Sequence, residues 1–295
     1  MLSILIPTYN YNIEALVSEL HAQSTACDID FEIIIGDDFS SQSIISSSYL
    51  SIIEFTYLHR SKKVLGRTAM RDLLSSEARF PWLLFIDADM LPRDANYIES
   101  YLNEVSKNTV ESAYFGGYSY PENSVHKERL RYRYGIEREY KLAAERSENP
   151  HRNIYSGNML IHQSTFKQTN TTLDNRYGLD LAFSRNLETQ KVAIKHMDNY
   201  TDHYGIEDNP SFLLKCKSAA KTLRQLYDSG LITANQSKLI KNYELLSKLK
   251  LVEIVRLKGW LLNPILTWIL INTKVSFVVL DFYKMCHFSS KLVKK

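Results

Sequence analysis

Two aspartates, Asp87 and Asp89, stand one residue apart in the stretch FIDADM, directly after the apolar run WLLFI. Two like charges held side by side at the edge of a core are unfavourable unless a positive charge compensates them. A helix cap or a strand end can use one carboxylate, but neither needs both. Mg²⁺ and Mn²⁺ do use such groups, because they take one or two carboxylates and complete their coordination with water and phosphate oxygens. The pair therefore predicts a divalent cation that binds a diphosphate.

Two other polar stretches, PTYN (7–10) and GDDFS (36–40), also follow short apolar runs that we predict to be strands. In an open α/β sheet, ligands bind outside the carboxyl ends of the parallel strands. Asp37 and Asp38 could simply cap the segment that follows them, which is the better interpretation if they are considered alone. Together with the aspartate pair, however, the three stretches predict one site along one edge of a sheet.

The stretch LGRTAMRD (65–72) supplies positive charge. Arg67 and Arg71 are four residues apart and therefore share one face of a helix that we predict over residues 67–78. Arg67 is at the start of this helix, where backbone N–H groups favour an anion such as phosphate. We expect Arg67 to contact phosphate, whereas a surface ion pair is the alternative for Arg71.

The elements that must hold these groups alternate along the first half of the chain. Apolar runs of strand length are separated by segments of helical periodicity, which predicts an α/β fold with a mostly parallel, Rossmann-like central sheet flanked by helices. The charged segment 127–146 is expected to be a helix that lies across the sheet. We predict strands at 3–7, 31–35, 53–58, 82–86, 158–162 and 192–197.

Several motifs that would indicate other functions are missing from the sequence. It contains no GxGxxG, GxxxxGK[ST], GxSxG or HExxH, which leaves metal-assisted diphosphate chemistry as the best interpretation. The three cysteines, Cys27, Cys216 and Cys286, are far apart. This spacing favours a reducing compartment over a disulfide framework. The first residues, MLSILIPTYN, have no basic n-region, so we expect no signal peptide.

The chain becomes helical and basic after Pro210. From Ser211 to the last residue there are 15 Lys and Arg against 4 Asp and Glu, a net charge of +11, whereas the whole chain carries only +3. We therefore predict one domain at residues 1–210 and a basic helical extension at residues 211–295. The extension is expected to face something anionic, with a solvated basic surface as the equal alternative.

An apolar segment begins at Trp260 within this extension. Asn263, Pro264, Asn272, Lys274 and Asp281 interrupt it, so that no run of about 20 apolar residues remains. We therefore expect no membrane span. The segment could lie in a membrane interface or pack against the preceding helices.

The order of these motifs resembles family 2 glycosyltransferases of the nucleotide-sugar-dependent GT-A fold. LSILIPTYN resembles the first strand and nucleotide loop of that family, FEIIIGDDFS its second strand and acidic pair, GRTAMRD its Ala-Arg-Asn helix and FIDADMLP its D-x-D metal motif. SGNMLIHQSTF (156–166), LDNRYGLDLAF (173–183) and HYGIEDNPSFLLK (203–215) resemble later segments of bacterial members. The resemblance covers about residues 2–225 in the right order. It implies a GT-A catalytic domain over residues 1–210.

Position by position, the resemblance implies roles at a donor site. The backbone of Pro7 and the side chains of Tyr9 and Asp38 would bind the nucleotide base. Arg67 would contact the nucleotide or its diphosphate, and Asp87 the ribose or the metal.

The same resemblance implies a metal site and a general base. Asp89 would bind Mn²⁺ or Mg²⁺ directly, with His203 as a further ligand. Asp180 would deprotonate the acceptor hydroxyl. Family members often have Glu-Asp where this chain has Leu179-Asp180. Glu207, Asp208 and Asp174 are therefore kept as alternative bases.

Two further features of the sequence bear on the resemblance. GDDFS has Phe39 where the family usually has Gly, which would stiffen that loop. Gly116 and Gly117 would let an acceptor approach the backbone, with a bend in the sheet as the equal alternative.

The implied reaction is an inverting transfer of a sugar from a nucleotide donor, expected to be a UDP-sugar, to a hydroxyl of a glycan or lipid-linked acceptor. One base is enough because the metal stabilises the leaving diphosphate. The alternatives are an inactive GT-A-like scaffold of a membrane-associated glycan assembly complex and a sugar nucleotidyltransferase. We expect no nucleic-acid partner. The expected location is cytoplasmic, with the basic extension peripheral on an anionic membrane surface at the inner face of the cell membrane.

Overall fold

The computed structural model describes residues 1–107, 110, 112–170, 176–274 and 277–290. The contacts divide the chain into two compact units. The first unit comprises residues 1–123, 138–175 and 186–205, and the second comprises residues 124–137, 176–185 and 206–295. The second unit thus takes in two segments that precede residue 210. The domain boundary predicted there stays a prediction.

The first unit is built on one eight-stranded mixed sheet. Its strands are β1 (Leu2–Thr8), β2 (Phe31–Asp37), β3 (Thr56–Arg60), β4 (Trp82–Ile86), β5 (Met90–Pro92), β6 (Ala113–Ser119), β7 (Asn158–His162) and β8 (Ile194–His203). Their order across the sheet is β3-β2-β1-β4-β7-β6-β8-β5. Strands β3, β2, β1 and β4 run parallel to one another, and so do β6 and β8. Strands β7 and β5 pair antiparallel with their neighbours.

Twelve α-helices occur in the described residues. They are α1 (Glu14–Ala26), α2 (Ser47–Leu50), α3 (Arg67–Glu77), α4 (Tyr97–Lys107), α5 (Leu130–Tyr134), α6 (Ala143–Ser147), α7 (Gln163–Thr169), α8 (Asp180–Thr189), α9 (Asn209–Asp228), α10 (Lys238–Lys248), α11 (Val252–Asn272) and α12 (Phe277–Ser289). The second unit contains α5 and α9 to α12, while α8 contributes residues to both units.

The core of the first unit explains why these segments form a sheet. Every residue of β2 is buried, and β1 is buried except at one half-buried position. Parallel strands covered on both faces have this pattern. Apolar residues of the strands pack with the inward faces of α1 and α4; among them are Ile4, Ile33, Leu84, Leu16, Leu20, Tyr97 and Tyr101.

The predicted α/β class and all six predicted strands are confirmed, with some shifts at their ends. The short β5 and the glycine-containing β6 were not predicted. The expected single helix at 127–146 is wrong, because α5 passes into a π-helical turn at Gly135–Glu139 and the chain then leaves the helix before α6. Arg146 is fully buried and donates to the carbonyls of Phe115 and Gly116 at 3.0 and 2.9 Å. These bonds hold α6 against the sheet.

Gly116 and Gly117 lie where the pairing of β6 with β8 becomes irregular. A Cβ on Gly116 would be 2.3 Å from the carbonyl oxygen of Asn199, and one on Gly117 would be 2.3 Å from the ring of Tyr200. The protein itself fills the space beside both glycines. This finding agrees with the bend in the sheet and not with an approach of the acceptor.

The apolar segment of the second unit also differs from the prediction. α11 continues through Asn263 and Pro264 as one helix of 21 residues. It is the one helix in the described parts of the chain that is long and apolar enough to cross a membrane, by length and composition alone.

Candidate functional site

The carboxyl ends of β2, β1 and β4 lie side by side at one edge of the sheet, because these strands are adjacent and parallel. Pro7 is in β1, in register with Gly36 of β2. Tyr9 directly follows β1, and its side chain is exposed. Asp87 directly follows β4. The predicted convergence of the first three polar stretches on one edge is therefore present.

Asp38 holds the loop that leads into α3. Its two carboxylate oxygens accept from the backbone N–H groups of Leu65, at 2.6 Å, and Gly66, at 2.9 Å. Gly66 precedes α3 with a φ of 87°, which favours glycine. The predicted contact of Asp38 with a nucleotide base stays a prediction. What the structure adds is that Asp38 fixes the start of the helix that carries Arg67.

The neighbouring loop contains backbone strain. Phe39 has a φ of 65° in the left-handed region, and its side chain is exposed. This conformation disfavours residues other than glycine and asparagine. Nearby, the Asn10 side chain accepts from the N–H of Ser41 at 2.8 Å, which joins the loops after β1 and β2. Phe39 therefore occupies a position that suits the glycine usual in the related motif.

Asp87 is paired with an arginine inside the protein. Its Oδ1 accepts from Nη2 of the buried Arg71 at 2.7 Å, and Nη1 of Arg71 donates to Ser156 Oγ at 2.9 Å. The half-exposed Arg67 places Nη1 3.7 Å from Oδ2 of Asp87. Burial by itself would raise the pKa of Asp87, but Arg67 and Arg71 hold it below the usual value. Asp87 is therefore a charged carboxylate with a fixed orientation.

This pair corrects part of the sequence analysis. Asp87 does not need a metal ion to compensate its charge, because Arg67 and Arg71 do so. Arg71 is also not in a surface ion pair, since its side chain is only 6% exposed. The direct binding of metal by Asp87 stays a prediction.

Asp89 has a different environment. It precedes β5, whose first residue, Met90, pairs with His203 at the end of β8. The pairing brings Asp89 Oδ2 to 3.6 Å from Nε2 of His203. The carboxylate is 31% exposed, whereas His203 is buried. The structure thus brings together the two residues that the resemblance implies as metal ligands.

Two glycines allow close approach to the carboxylates. A Cβ on Gly205 would be 2.0 Å from Asp89 Oδ2, and one on Gly157 would be 2.4 Å from Asp87 Oδ2. Any larger residue at either position would displace a carboxylate. This explains the glycines in the stretches HYG and SGN, which the sequence analysis quoted without assigning them a role.

Tyrosines line the other side of His203. The ring of Tyr120 lies 5.6 Å from the imidazole, and its hydroxyl is hydrogen-bonded to Glu139. Tyr118 stacks on Tyr155 with ring centroids 4.6 Å apart. These tyrosines were not predicted as site residues, although Tyr is abundant in the chain. Their positions depend on β6, which was not predicted.

The donor set suits a small divalent cation. Asp89 offers oxygen and His203 offers an imidazole nitrogen, at a separation that lets both contact one ion. Mn²⁺ accepts both kinds of ligand, and Mg²⁺ prefers oxygen. Across the described residues, no group of three or more His, Cys, Asp or Glu is arranged to hold a metal. A cation here would therefore take its remaining ligands from water or from a bound phosphate.

The predicted base lies in the second unit. Asp180 is half-buried at the first position of α8. Of the alternatives, Asp208 caps α9 by accepting from the N–H of Ser211 at 2.7 Å, and Glu207 pairs with Lys215 at 3.0 Å. Asp174 is outside the described residues. The role of Asp180 stays a prediction.

Comparison with protein families gives one match. The family model described as "Glycosyl transferase family 2" matches residues 3–169, which is more than half of the chain. No curated protein matches the sequence.

Solved structures share the fold at low identity. Mannosyl-3-phosphoglycerate synthase from Rubrobacter xylanophilus is 13% identical with a TM-score of 0.56, over 79% of this chain and 75% of that one. Glucosyl-3-phosphoglycerate synthase from Mycobacterium tuberculosis, in complex with Mn²⁺, UDP-glucose and phosphoglyceric acid, is 12% identical with a TM-score of 0.52, over 77% and 79%. Mannosyltransferase PcManGT from Pyrobaculum calidifontis, in complex with GDP-Man and Mn²⁺, is 11% identical with a TM-score of 0.52, over 78% and 64%. The predicted GT-A fold is confirmed.

Proposed function

Since this chain belongs to glycosyl transferase family 2, we propose that it transfers a sugar from a nucleotide diphosphate donor to a hydroxyl of a glycan or lipid-linked acceptor, with inversion. The single observation that carries the proposal is the meeting of Asp89 and His203 beside the Arg71–Asp87 pair. UDP is the expected nucleotide. Structural neighbours bound to UDP-glucose or GDP-Man with Mn²⁺ support the donor class.

Asp89 and His203 would hold Mn²⁺ or Mg²⁺ at this site. When bound, the cation would neutralise the charge that develops on the leaving diphosphate. Two ligands from the described part of the chain would leave positions on the ion for phosphate oxygens.

The residues of the first unit have separate tasks in this proposal. Tyr9 packs on the nucleotide base, with the backbone of Pro7 and the side chain of Asp38 beside it. Arg67, half-exposed at the start of α3, contacts the diphosphate. Asp87 is held by Arg71 and faces the ribose. A carboxylate that is already charge-compensated can orient a hydroxyl without competing strongly for the cation.

Asp180 is proposed as the general base that takes the proton from the acceptor hydroxyl. One base is enough for an inverting displacement, because the leaving diphosphate needs no acid when a cation is bound to it.

The proposed location is cytoplasmic, at the inner face of the cell membrane. The support is the net charge of +11 after Pro210, which fits an anionic surface. A lipid-linked acceptor would be presented at such a surface.

The experiment is a screen of UDP- and GDP-sugars for Mn²⁺-dependent thermal stabilisation, followed by measurement of nucleotide release. We expect release with at least one donor, its loss with EDTA and in Asp89→Asn, and normal release in the matched control Asp30→Asn, which alters an exposed residue before β2. Asp180→Asn should abolish transfer and leave donor affinity nearly unchanged.

The anomeric configuration of the product, read by NMR, should be opposite to that of the donor. Equal activity of Asp89→Asn and Asp30→Asn would reject the proposal.

A further inference from the structure

Helix α11 exposes an apolar face that the core does not use. Of its residues only Gly259 and Leu270 are fully buried. The exposed apolar residues recur at intervals of three and four, and therefore lie along one face. We call them the α11 stripe: Ile254, Leu257, Leu261, Ile265 and Trp268.

The opposite side of α11 attaches it to the second unit. Leu270 packs in a cluster with Phe277 and Leu280 of α12 and with Phe212 of α9. Gly259 lies so close to α12 that a Cβ there would be 2.6 Å from Cβ of Cys286. α11 is thus fixed to its neighbours on one side, and its outward face is exposed.

Two tryptophans of α11 are exposed: Trp268, which belongs to the stripe, and Trp260, which lies outside it. Trp260 is 76% exposed and Trp268 is 62% exposed. Tryptophan concentrates at membrane–water interfaces, because its large ring is apolar while its N–H still needs a polar partner.

A cavity of about 640 Å³ opens between α11 and α12. Its apolar wall includes Leu257, Trp260 and Pro264, and its polar residues include Arg256 and Glu253, which form an ion pair with each other. The volume is in the ordinary range for small-molecule sites. An acyl chain would fit the apolar wall.

Several lysines lie in the sequence just before the stripe or within α11. Lys258 lies on the exposed side of α11, and Lys241, Lys248 and Lys250 are exposed just before it. The stretch from Gly259 to Asn272 contains no charged residue. Lysines beside an apolar helix face are the pattern of a helix that binds an anionic lipid surface.

These features favour a bilayer surface over two alternatives for covering the stripe, a helix that crosses the membrane and a dimer of two copies of the chain. α11 as a whole has the length and composition of a membrane span. Its uncharged part, the 14 residues from Gly259 to Asn272, would extend only about 21 Å as a helix, which is shorter than the ~30 Å hydrocarbon core. Two copies joined through the stripe would bring two strongly basic extensions together, and their like charges would repel.

We propose that α11 lies in the plane of an anionic bilayer, with the α11 stripe among the acyl chains and the neighbouring cavity occupied by one lipid chain. This inference deepens the proposed location at the membrane and rests on it. It does not involve the donor site. Vesicle binding is measured without donor or metal, so its failure would leave the proposed sugar transfer untouched.

The first test is flotation of the full chain with vesicles of phosphatidylglycerol and phosphatidylcholine at low salt. Wild type should float with these vesicles and stay soluble with phosphatidylcholine alone. Leu261→Glu and Trp268→Glu should lower the floated fraction at least about tenfold, because each places a charge in the acyl region. The matched control Leu231→Glu changes a leucine outside α11 that is as exposed as Leu261, at 52% against 56%. It should float like wild type. Full recovery of wild type in the soluble fraction, or equal loss in the control, would overturn the proposal.

The second test distinguishes a helix in the plane from one that crosses. Trp260→Phe and Trp268→Phe each leave one tryptophan on α11, and lipids brominated at different depths report its position by quenching. A helix in the plane keeps both tryptophans in the shallow part of one leaflet, with Trp268 of the stripe the deeper of the two. A crossing helix separates them by about 12 Å, since eight residues rise 1.5 Å each, and that result would contradict the proposal. The proposal would also be contradicted if wild type formed a dimer that Leu261→Glu abolished and did not bind vesicles.

Discussion

Asp87 and Asp89 are separated by a single residue, yet they belong to two different regions of the site. Asp87 is 12% exposed and lies in the Arg71–Asp87 region, where a buried guanidinium donates to it at 2.7 Å. Asp89 is 31% exposed and lies in the Asp89–His203 region, 3.6 Å from a buried imidazole. Sequence spacing makes the two carboxylates look equivalent. Their partners show that they are not.

The difference arises from the segments that reach each carboxylate. Arg71 of α3 and Ser156, just before β7, fix Asp87, while β5 pairs with β8 and thereby places His203 beside Asp89. One carboxylate has its charge compensated inside the protein, and the other can share a cation with an imidazole. We therefore expect mutations in the first region to affect mainly folding and mutations in the second to affect mainly metal-dependent activity.

The largest expected effect is on stability, in Arg71→Met. Removing one partner of a buried ion pair leaves the other charged and uncompensated, which costs about 3–5 kcal/mol. Urea unfolding should show a decrease of this order in the free energy of unfolding. A decrease below about 1 kcal/mol would mean that the two regions do not differ as described.

Asp89→Asn should have the opposite profile. Activity should fall by about 100-fold or more, because a lost metal ligand removes several kcal/mol of charge stabilisation from the transition state. The free energy of unfolding should stay within about 1 kcal/mol of wild type, as is usual when a partly exposed side chain is replaced. Steady-state kinetics and urea unfolding of the same preparation would check both numbers. An active but unstable variant would contradict the expected difference between the Arg71–Asp87 and Asp89–His203 regions.

Arg67→Met tests the exposed arginine on the helix that also carries Arg71. Loss of one phosphate contact should weaken donor binding about tenfold, equivalent to roughly 1.4 kcal/mol. Because Arg67 is half-exposed and 3.7 Å from Asp87, unfolding should change much less than in Arg71→Met. Calorimetry with the nucleotide diphosphate would measure the affinity. Unchanged affinity would place the phosphate away from the start of α3.

Acid should weaken the Arg71–Asp87 region in a defined range. The pKa of Asp87 is lowered in the folded state, since the two arginines outweigh the opposing effect of burial. The stabilisation by its charge is therefore complete above the pKa of an unfolded aspartate, near 4, and is lost as the pH falls through the lower folded value. The difference in unfolding free energy between wild type and Asp87→Asn should shrink as the pH is lowered from 7 to 3. A difference that grows would have the wrong sign.

The smallest expected effect is at Phe39, whose φ of 65° strains a residue other than glycine. Phe39→Gly should raise the free energy of unfolding by up to about 1 kcal/mol, as the relief of strain is partly offset by the entropy of glycine. Phe39→Ala keeps the Cβ and should give no gain. Equal stability of the two variants would show that the loop is not strained.

The sequence predicted the elements whose signal is local. Apolar runs located β1, β2, β4 and β7, and the motifs after them located Tyr9, Asp38 and Asp87 at one edge. β5 has only three residues, too few to show a period. Pairing of β5 with β8, which brings Asp89 to His203, is a long-range contact that no pattern within either segment reveals. The resemblance alone connected these two residues.

The role of Arg71 was misjudged for a similar reason. Helical spacing showed that it shares a face with Arg67, but not which of the two would be buried. Its inward position is held by a hydrogen bond to Ser156, which belongs to a segment far away in the sequence. The break at 135–142 was also unpredictable, because it depends on where Arg146 finds its carbonyl partners.

The proposal that Asp89 and His203 bind the metal ion is tested most directly by a crystal structure with UDP and Mn²⁺, in which the ion is located by its anomalous scattering. We expect one Mn²⁺ bonded to the carboxylate of Asp89, to Nε2 of His203 and to the diphosphate, with the Arg71–Asp87 pair intact. Mn²⁺ bound by Asp87 with Arg71 displaced, or no ion beside Asp89 at saturating UDP and Mn²⁺, would contradict it.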